Sequence, residues 1–300
     1  MSKRIDLGWI GLGQMGAPMA ERLLGEDVTL HVFDRNAQVL DAFSRKGAVV
    51  HGSPREVADA AEIVFACLPS PAISKSVALD EGGVIFGERV RLYVETSTIG
   101  RDCIQAIAAG LAAKNVALVD GPISGGAPAA REGRLTMMVS GPPPAVDEVL
   151  PWLGRIGRQV TNLGGQAGQA QIMKLVNNLV MAANMVVAAE GLALGSKAGL
   201  DAATMLEVLA ASTGSSRALT EILAQALKPG SYSFGAHLSI VAKDVALGVH
   251  EASALEVPVP GLEAVRAIWA AAVADGHSDE DFTSIIRFVE KQAGTEVRSA

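Results

Sequence analysis

Ile5-Asp6-Leu7-Gly8-Trp9-Ile10-Gly11-Leu12-Gly13-Gln14-Met15-Gly16 is the stretch on which the fold turns. Its first six residues form a short apolar run of strand type. The glycines at 11, 13 and 16 then mark a tight loop, and a helical pattern over 17–24 follows at once. The first two glycines permit the turn and a close approach of phosphates, while the third lets the helix pack on the strand; N–H groups at the helix start face the phosphates. The next predicted strand, 29–33, runs into Asp34, whose carboxylate can accept hydrogen bonds from both hydroxyls of a ribose. Strand, glycine loop, helix and terminal carboxylate, in that order, are the pattern of a dinucleotide site. Asp34 favours NAD, because a 2′-phosphate would meet its negative charge. Arg35 leaves NADP open, since a guanidinium can stack on adenine or hold that phosphate.

Working outward, the first half of the 300-residue chain alternates short β-branched runs with helical patterns, as parallel βαβ units do. Strands are expected over 5–10, 29–33, 63–68, 92–95, 117–119 and 135–139. Ser53-Pro54-Arg55-Glu56 reads as a helix start, with Ser53 as N-cap, Pro54 at the first helical position and Glu56 closing a capping box. After about residue 160 the strand signal stops. Helical patterns rich in Ala, Leu and Met take over, punctuated by Gly199, Gly214, Pro229-Gly230 and Pro258-Val259-Pro260. The expected fold is α/β: a Rossmann-type dinucleotide-binding domain over 1–163, followed by a long interdomain helix and an all-α C-terminal domain over 164–300. That helix, at about 169–198, is apolar on nearly every face, which implies burial on all sides between two domains or two subunits. A cleft between the halves is the expected active site.

Composition removes several function classes. Hydrophobic residues make up 49% of the chain and aromatics only 4%, which places it among globular proteins with aliphatic cores. A net charge of −7 without a basic cluster excludes the phosphate-tracking surface of a nucleic-acid binder. Cys67 and Cys103 alone build neither a disulfide framework nor a Cys-rich zinc site, so a reducing, cytoplasmic setting is expected. With a strand-type run from Ile5 and the glycine loop at Gly11, no signal or transit segment is expected in these first residues. The most membrane-like run, 175–194, is interrupted by Asn177, Asn178, Asn184 and Glu190, so no membrane partner is expected. His31, His51, His237, His250 and His277 are scattered without ligand spacing, and no metal is expected.

Further motifs extend the pattern beyond the glycines. Ala17-Pro18-Met19-Ala20 continues the opening loop, Cys67-Leu68-Pro69 and Ser97-Thr98-Ile99 follow two later strands, and Asp120-Gly121-Pro122-Ile123-Ser124-Gly125-Gly126 follows a third. Lys174-Leu175-Val176-Asn177-Asn178 lies early in the long helix, and Lys243-Asp244 lies late in the chain. With these residues the sequence resembles the β-hydroxyacid dehydrogenase family, the 3-hydroxyisobutyrate dehydrogenase-like enzymes, over nearly its whole length. It departs from the family at Gly121, where Ala is usual, and at Ala170, where a second glycine is common.

The resemblance implies metal-independent hydride transfer between NAD(P) and a short-chain 3-hydroxy acid, or its semialdehyde or keto form. A hydroxyl proton must then move to a positioned base. Lys174 is the best candidate, since desolvation in an apolar helix and the positive end of the helix dipole both disfavour an ammonium there. Asn178, at i+4, shares its face and orients the substrate oxygen, whereas Asn177 points elsewhere and is expected to hold neighbouring backbone. Ser124, Gly125 and Gly126 place a hydroxyl beside unhindered backbone N–H groups and, by the resemblance, hold the substrate carboxylate. The resemblance also assigns the cofactor to Gly11, Leu12, Gly13, Gln14, Met15, Gly16, Asp34, Arg35, Leu68, Pro69, Thr98, Phe234 and Lys243. Ile123, Ser212, Thr213, Gly214 and Phe234 are candidates for the distal wall of the pocket. Two alternatives stand beside this reading: an imine reductase of the same architecture, a group that generally lacks the lysine, and a non-catalytic dinucleotide-binding protein. The apolar central helix implies a homodimer or homotetramer.

Overall fold

The computed structural model describes residues 4–227 and 232–298; Pro229 and Gly230 lie outside the described residues. The chain forms two compact units, Met1–Lys174 and Leu175–Ala300. In the first, β1 (Ile5–Ile10), α1 (Gly16–Glu21), β2 (Val28–Phe33), α2 (Ala37–Arg45), β3 (Val49–Val50), α3 (Pro54–Ala60), β4 (Ile63–Ala66), α4 (Pro71–Leu79), β5 (Leu92–Glu95), α5 (Arg101–Ala112) and β6 (Ala117–Asp120) alternate. The strands make a wholly parallel sheet of order β3-β2-β1-β4-β5-β6. That is the doubly wound order whose reversal, between β1 and β4, opens a crevice at the carboxyl ends of the strands.

The rest of this unit contains β7 (Ile123–Ser124), α6 (Gly126–Arg131), β8 (Leu135–Val139), α7 (Pro143–Ile156) and β9 (Gly157–Asn162). Here β8 pairs antiparallel with β7 and parallel with β9 in a second, three-stranded sheet. Strands β4, β5 and most of β1 are buried on both faces, as parallel strands covered by helices must be. Trp9 stacks on Phe65 across the first sheet with ring centroids 5.5 Å apart.

The long helix α8 (Gln169–Lys197) crosses the boundary between the units, which falls at Lys174, inside the helix. The physical reason is that its first turn is hydrogen-bonded to the end of β6. Beyond Lys197 come α9 (Ala202–Ala210), a π-helical turn at Ala218–Leu223 that runs into α10 (Ala224–Ala226), then α11 (Leu238–Ala254), α12 (Pro260–Ala272) and α13 (Ile285–Ala293). Among the described residues this second unit holds no strand. Its helices close on Trp269, Leu223, Val245, Ile285 and Ile286, all fully buried.

Several local expectations need correction. The strand expected over 63–68 ends at Ala66, because Cys67 and Leu68 turn away to form a loop. The strands β3, β7 and β9 gave no usable pattern: β3 and β7 have two residues each, and β9 is an edge strand with mostly exposed side chains. At Ser53 the cap is real, with Ser53 Oγ accepting from Glu56 N at 3.2 Å. The carboxylate of Glu56, however, accepts from Gly52 N at 2.9 Å, one residue earlier than in a standard box. Finally, α8 is not covered on every face within the chain: Val176, Val180, Val187 and Leu194 are exposed, Leu194 by 74%.

Candidate active site

The three glycines of the opening loop serve different purposes. Gly11 has φ +90°, and a Cβ there would stand 2.2 Å from the carbonyl oxygen of Cys67 at the end of β4. A Cβ on Gly16 would stand 2.0 Å from the oxygen of Gly11, which Trp9 Nε1 holds by a 2.9 Å hydrogen bond. The third glycine therefore makes room for the loop's own carbonyl. A Cβ added at Gly13 would meet nothing within 4 Å, so the protein itself does not require glycine there. An exposed backbone position with an open Cβ side is what a group approaching the chain closely needs.

Asp34 is tied to this loop. Its Oδ2 accepts from Leu12 N at 2.6 Å and its Oδ1 from Asn36 N at 2.8 Å, so the carboxylate stands fixed at the end of β2 beside the loop, with remaining lone pairs available. Arg35 and Gln14 are exposed, Leu12 is buried, and Met15 packs on the core. These residues fit a dinucleotide: an open glycine cradle with an anchored acceptor at its rim.

The loops after β4 and β5 are joined through a buried carboxylate. Glu95 Oε1 accepts from Ser97 N (3.0 Å) and Ser97 Oγ (2.5 Å), and Ser97 Oγ in turn accepts from Leu68 N at 2.6 Å. Tyr93 donates to Glu95 Oε2 at 3.2 Å. Burial pushes the Glu95 carboxyl above the usual range, against the pull of the Ser97 bonds. Desolvation pushes the neighbouring Cys67 thiol up to about 12, leaving it a neutral packing group at ordinary pH. Leu68 and Thr98 are half-buried and Pro69 is exposed.

After β6, Gly125 (φ +136°) and Gly126 (φ +73°) bend the chain sharply into α6 beside Ser124. The end of β6 also receives the start of α8. Asp120, fully buried, accepts through Oδ2 from Gly168 N (3.0 Å) and Gln171 N (3.1 Å), and Ser140 Oγ accepts from Ala170 N (3.1 Å). The helix start is thus well capped with alanine at 170. Gln171 carries the connection further: its Oε1 accepts from Ile99 N and Gly100 N, and its Nε2 donates to Ser97 O and Asp120 Oδ1. Burial pushes the Asp120 carboxyl upward, and these donors oppose the shift. Lys174, half-buried, follows one turn later.

Within the second unit, Asn178 is buried and donates through Nδ2 to Asp244 Oδ2 at 2.6 Å; Lys243 Nζ lies 2.9 Å from Asp244 Oδ1. Asn177 donates to Asn178 Oδ1 at 3.0 Å, so it holds a side chain and not backbone as expected. Phe234 packs edge-on against Phe282, 5.4 Å between centroids. Ser212, Thr213 and Gly214 are exposed, and Ile123 is buried in the core of the first unit. Among the described residues no group of three His, Cys, Asp or Glu is placed to hold a metal ion.

Sequence reasoning assigned no role to Glu95, Asp120, Ser140, Gln171 or Asp244. Asp120 opens a quoted motif and Gln171 follows the departure at Ala170, yet Gln171 reaches partners 51 and 72 residues away, beyond any local pattern.

Comparison with known proteins agrees with this geometry. Residues 6–165 match the NAD binding domain of 6-phosphogluconate dehydrogenase, and residues 168–289 match the NAD-binding region of NADP-dependent 3-hydroxyisobutyrate dehydrogenase. The chain is 33% identical over 298 residues to 2-(hydroxymethyl)glutarate dehydrogenase of Eubacterium barkeri, covering 99% of each. It is 32% identical over 289 residues to 3-hydroxyisobutyrate dehydrogenase of Pseudomonas aeruginosa, covering 93% of this chain and 97% of that one. A crystal structure of 3-hydroxyisobutyrate dehydrogenase from Salmonella typhimurium superposes with a TM-score of 0.85 at 28% identity, covering 95% of this chain and 99% of that one. An imine reductase of Streptomyces aurantiacus, at 21% identity and a TM-score of 0.62, shares the fold alone. The chain therefore belongs to the β-hydroxyacid dehydrogenase family and is an NAD(P)-dependent oxidoreductase.

Proposed function

We propose that the protein oxidises the hydroxyl-bearing carbon of a short 3-hydroxy acid to a semialdehyde or keto group, or runs the reverse reduction. The relatives' substrates, 2-(hydroxymethyl)glutarate, 3-hydroxyisobutyrate, L-serine and L-threonate, define a first panel. The observation that carries the reading is Lys174, an amine one turn into a helix whose start is bonded both to the strand leading into Ser124 and to the loop holding Thr98. Lys174 Nζ takes the hydroxyl proton on oxidation and returns it on reduction. Asn178, its amide aimed by Asp244 and Asn177, orients the substrate oxygen. Ser124, Gly125 and Gly126 bind the carboxylate with a hydroxyl and backbone N–H groups.

Residues 11–16 with Asp34, Arg35, Leu68, Pro69, Thr98, Phe234 and Lys243 hold the dinucleotide; Asp34 favours NAD, and Arg35 leaves NADP open. When bound, its nicotinamide supplies the hydride acceptor. Replacement of Lys174 by Met should lower kcat by about 10²- to 10⁴-fold, the usual worth of a positioned acid–base group, with the NAD⁺ dissociation constant little changed. Near-wild-type turnover in Lys174→Met removes this mechanism. A wild type that turns over no acid of the panel favours a dinucleotide sensor instead.

The exposed stripe Val176, Val180, Val187 and Leu194, on one side of α8, supports a homodimer or homotetramer. Free Cys67 and Cys103 fit a cytoplasmic setting.

A further inference from the structure

Gln171 is fully buried, and every hydrogen-bonding direction of its amide is used. Oε1 accepts from Ile99 N at 2.9 Å and Gly100 N at 3.1 Å; Nε2 donates to Ser97 O at 3.0 Å and Asp120 Oδ1 at 2.7 Å. Three of these partners bracket Thr98 in the chain, and the fourth is the carboxylate that caps α8. Only one orientation of the amide works, because exchanging its O and N would set donors against two N–H groups and an acceptor against two oxygens.

The helix does not need this side chain in order to begin. Asp120 and Ser140 already satisfy the N–H groups of Gly168, Ala170 and Gln171. What the Gln171 side chain adds is a grip on the 97–100 loop through three hydrogen bonds. Helix geometry turns that grip into aim. Lys174 lies three residues on, about 4.5 Å along the axis and about 60° around it, so a first turn held at Gln171 also has the direction of Lys174 set.

We infer that Gln171 is a positioning residue that registers the Lys174 amine against the loop carrying Thr98. The inference rests on Lys174 as the proton-transfer group.

A reciprocal exchange tests it in the full-length protein with NAD⁺ and the fastest acid of the panel. Gln171→Glu keeps an acceptor for Ile99 and Gly100 but sets an oxygen against Asp120 and against Ser97 O. Asp120→Asn sets an NH₂ group against Gln171 Nε2. Combined, the two restore a donor facing an acceptor between positions 120 and 171, with one buried negative charge as before and only Ser97 O mismatched. Each single change should lower kcat by about 10- to 100-fold, since displacing a reacting group by 1 Å costs up to ~10². KM and the NAD⁺ dissociation constant should stay within about threefold. The double variant should return to within about tenfold of wild-type kcat. Amide hydrogen exchange over residues 97–100, which needs no turnover, should quicken in each single variant and slow again in the double.

Single variants with wild-type kcat, a double no better than the worse single, or losses spread equally over kcat, KM and cofactor affinity overturn the inference. If instead Lys174→Met keeps its rate, the proton-transfer reading fails. If no acid turns over, the hydroxy-acid reading fails, and the exchange experiment still decides whether the clamp holds.

Discussion

Replacing Gly11 and Gly13 by alanine separates folding from ligand binding within three residues of each other. At Gly11 a methyl group would stand 2.2 Å from the Cys67 oxygen on a residue with φ +90°. The left-handed backbone costs about 1–2 kcal/mol in an L-residue, and forced overpacking typically adds about 1–3 kcal/mol. Gly11→Ala should therefore lose about 2–5 kcal/mol, and melt about 5–20 °C lower at about 2–4 °C per kcal/mol. At Gly13 the backbone is in an ordinary region and the methyl meets nothing within 4 Å. Gly13→Ala should stay within about 0.5 kcal/mol of wild type. If phosphate approaches that backbone, the same methyl weakens a charge-assisted hydrogen bond worth about 1.5–3 kcal/mol. NADH affinity would then fall about 10- to 100-fold. Differential scanning fluorimetry without cofactor and titration of NADH fluorescence measure the two quantities. Wild-type NADH affinity in Gly13→Ala, or a melting loss there equal to that of Gly11→Ala, would refute the division of labour between the glycines.

Asp34→Ala should raise the NADP⁺ to NAD⁺ ratio of kcat/KM and also weaken NAD⁺, because Leu12 N loses its acceptor; an unchanged ratio counts against a ribose contact. The raised Glu95 carboxyl means the folded state holds that proton more tightly than the unfolded chain, so its contribution to stability is full at low pH and is lost as pH rises through the raised value. The Tm of Glu95→Gln relative to wild type should accordingly improve from pH 5 to pH 8, and a difference moving the other way sinks the argument. Val180→Glu with Val187→Glu should shift sedimentation toward a monomer; a wild type that sediments as a monomer already would show the stripe is not an assembly surface.

Much of the first unit was legible because its signals are local. The run 5–10, the glycine spacing and Asp34 lie within about thirty residues and place the cradle without knowledge of the rest. Leu92–Glu95 and Leu135–Val139 match the expected bounds, since burial on both faces leaves a short, mostly apolar run. Lys174 and Asn178 could be paired from helical periodicity alone. The short strand β3 and the exposed edge β9 could not be found that way, because neither buries enough side chain to impose a pattern on the sequence.

Residue order by itself determined the doubly wound fold, the dinucleotide cradle and the amine early in the long helix, because strand and helix periods, glycine spacing and capping act between near neighbours. Tertiary structure alone decided which polar groups hold these parts in register. The Asp120–Gln171 bond and the grip on the 97–100 loop join residues far apart in sequence, and buried hydrogen bonds of that kind exist only once packing has excluded water and brought each donor to its acceptor.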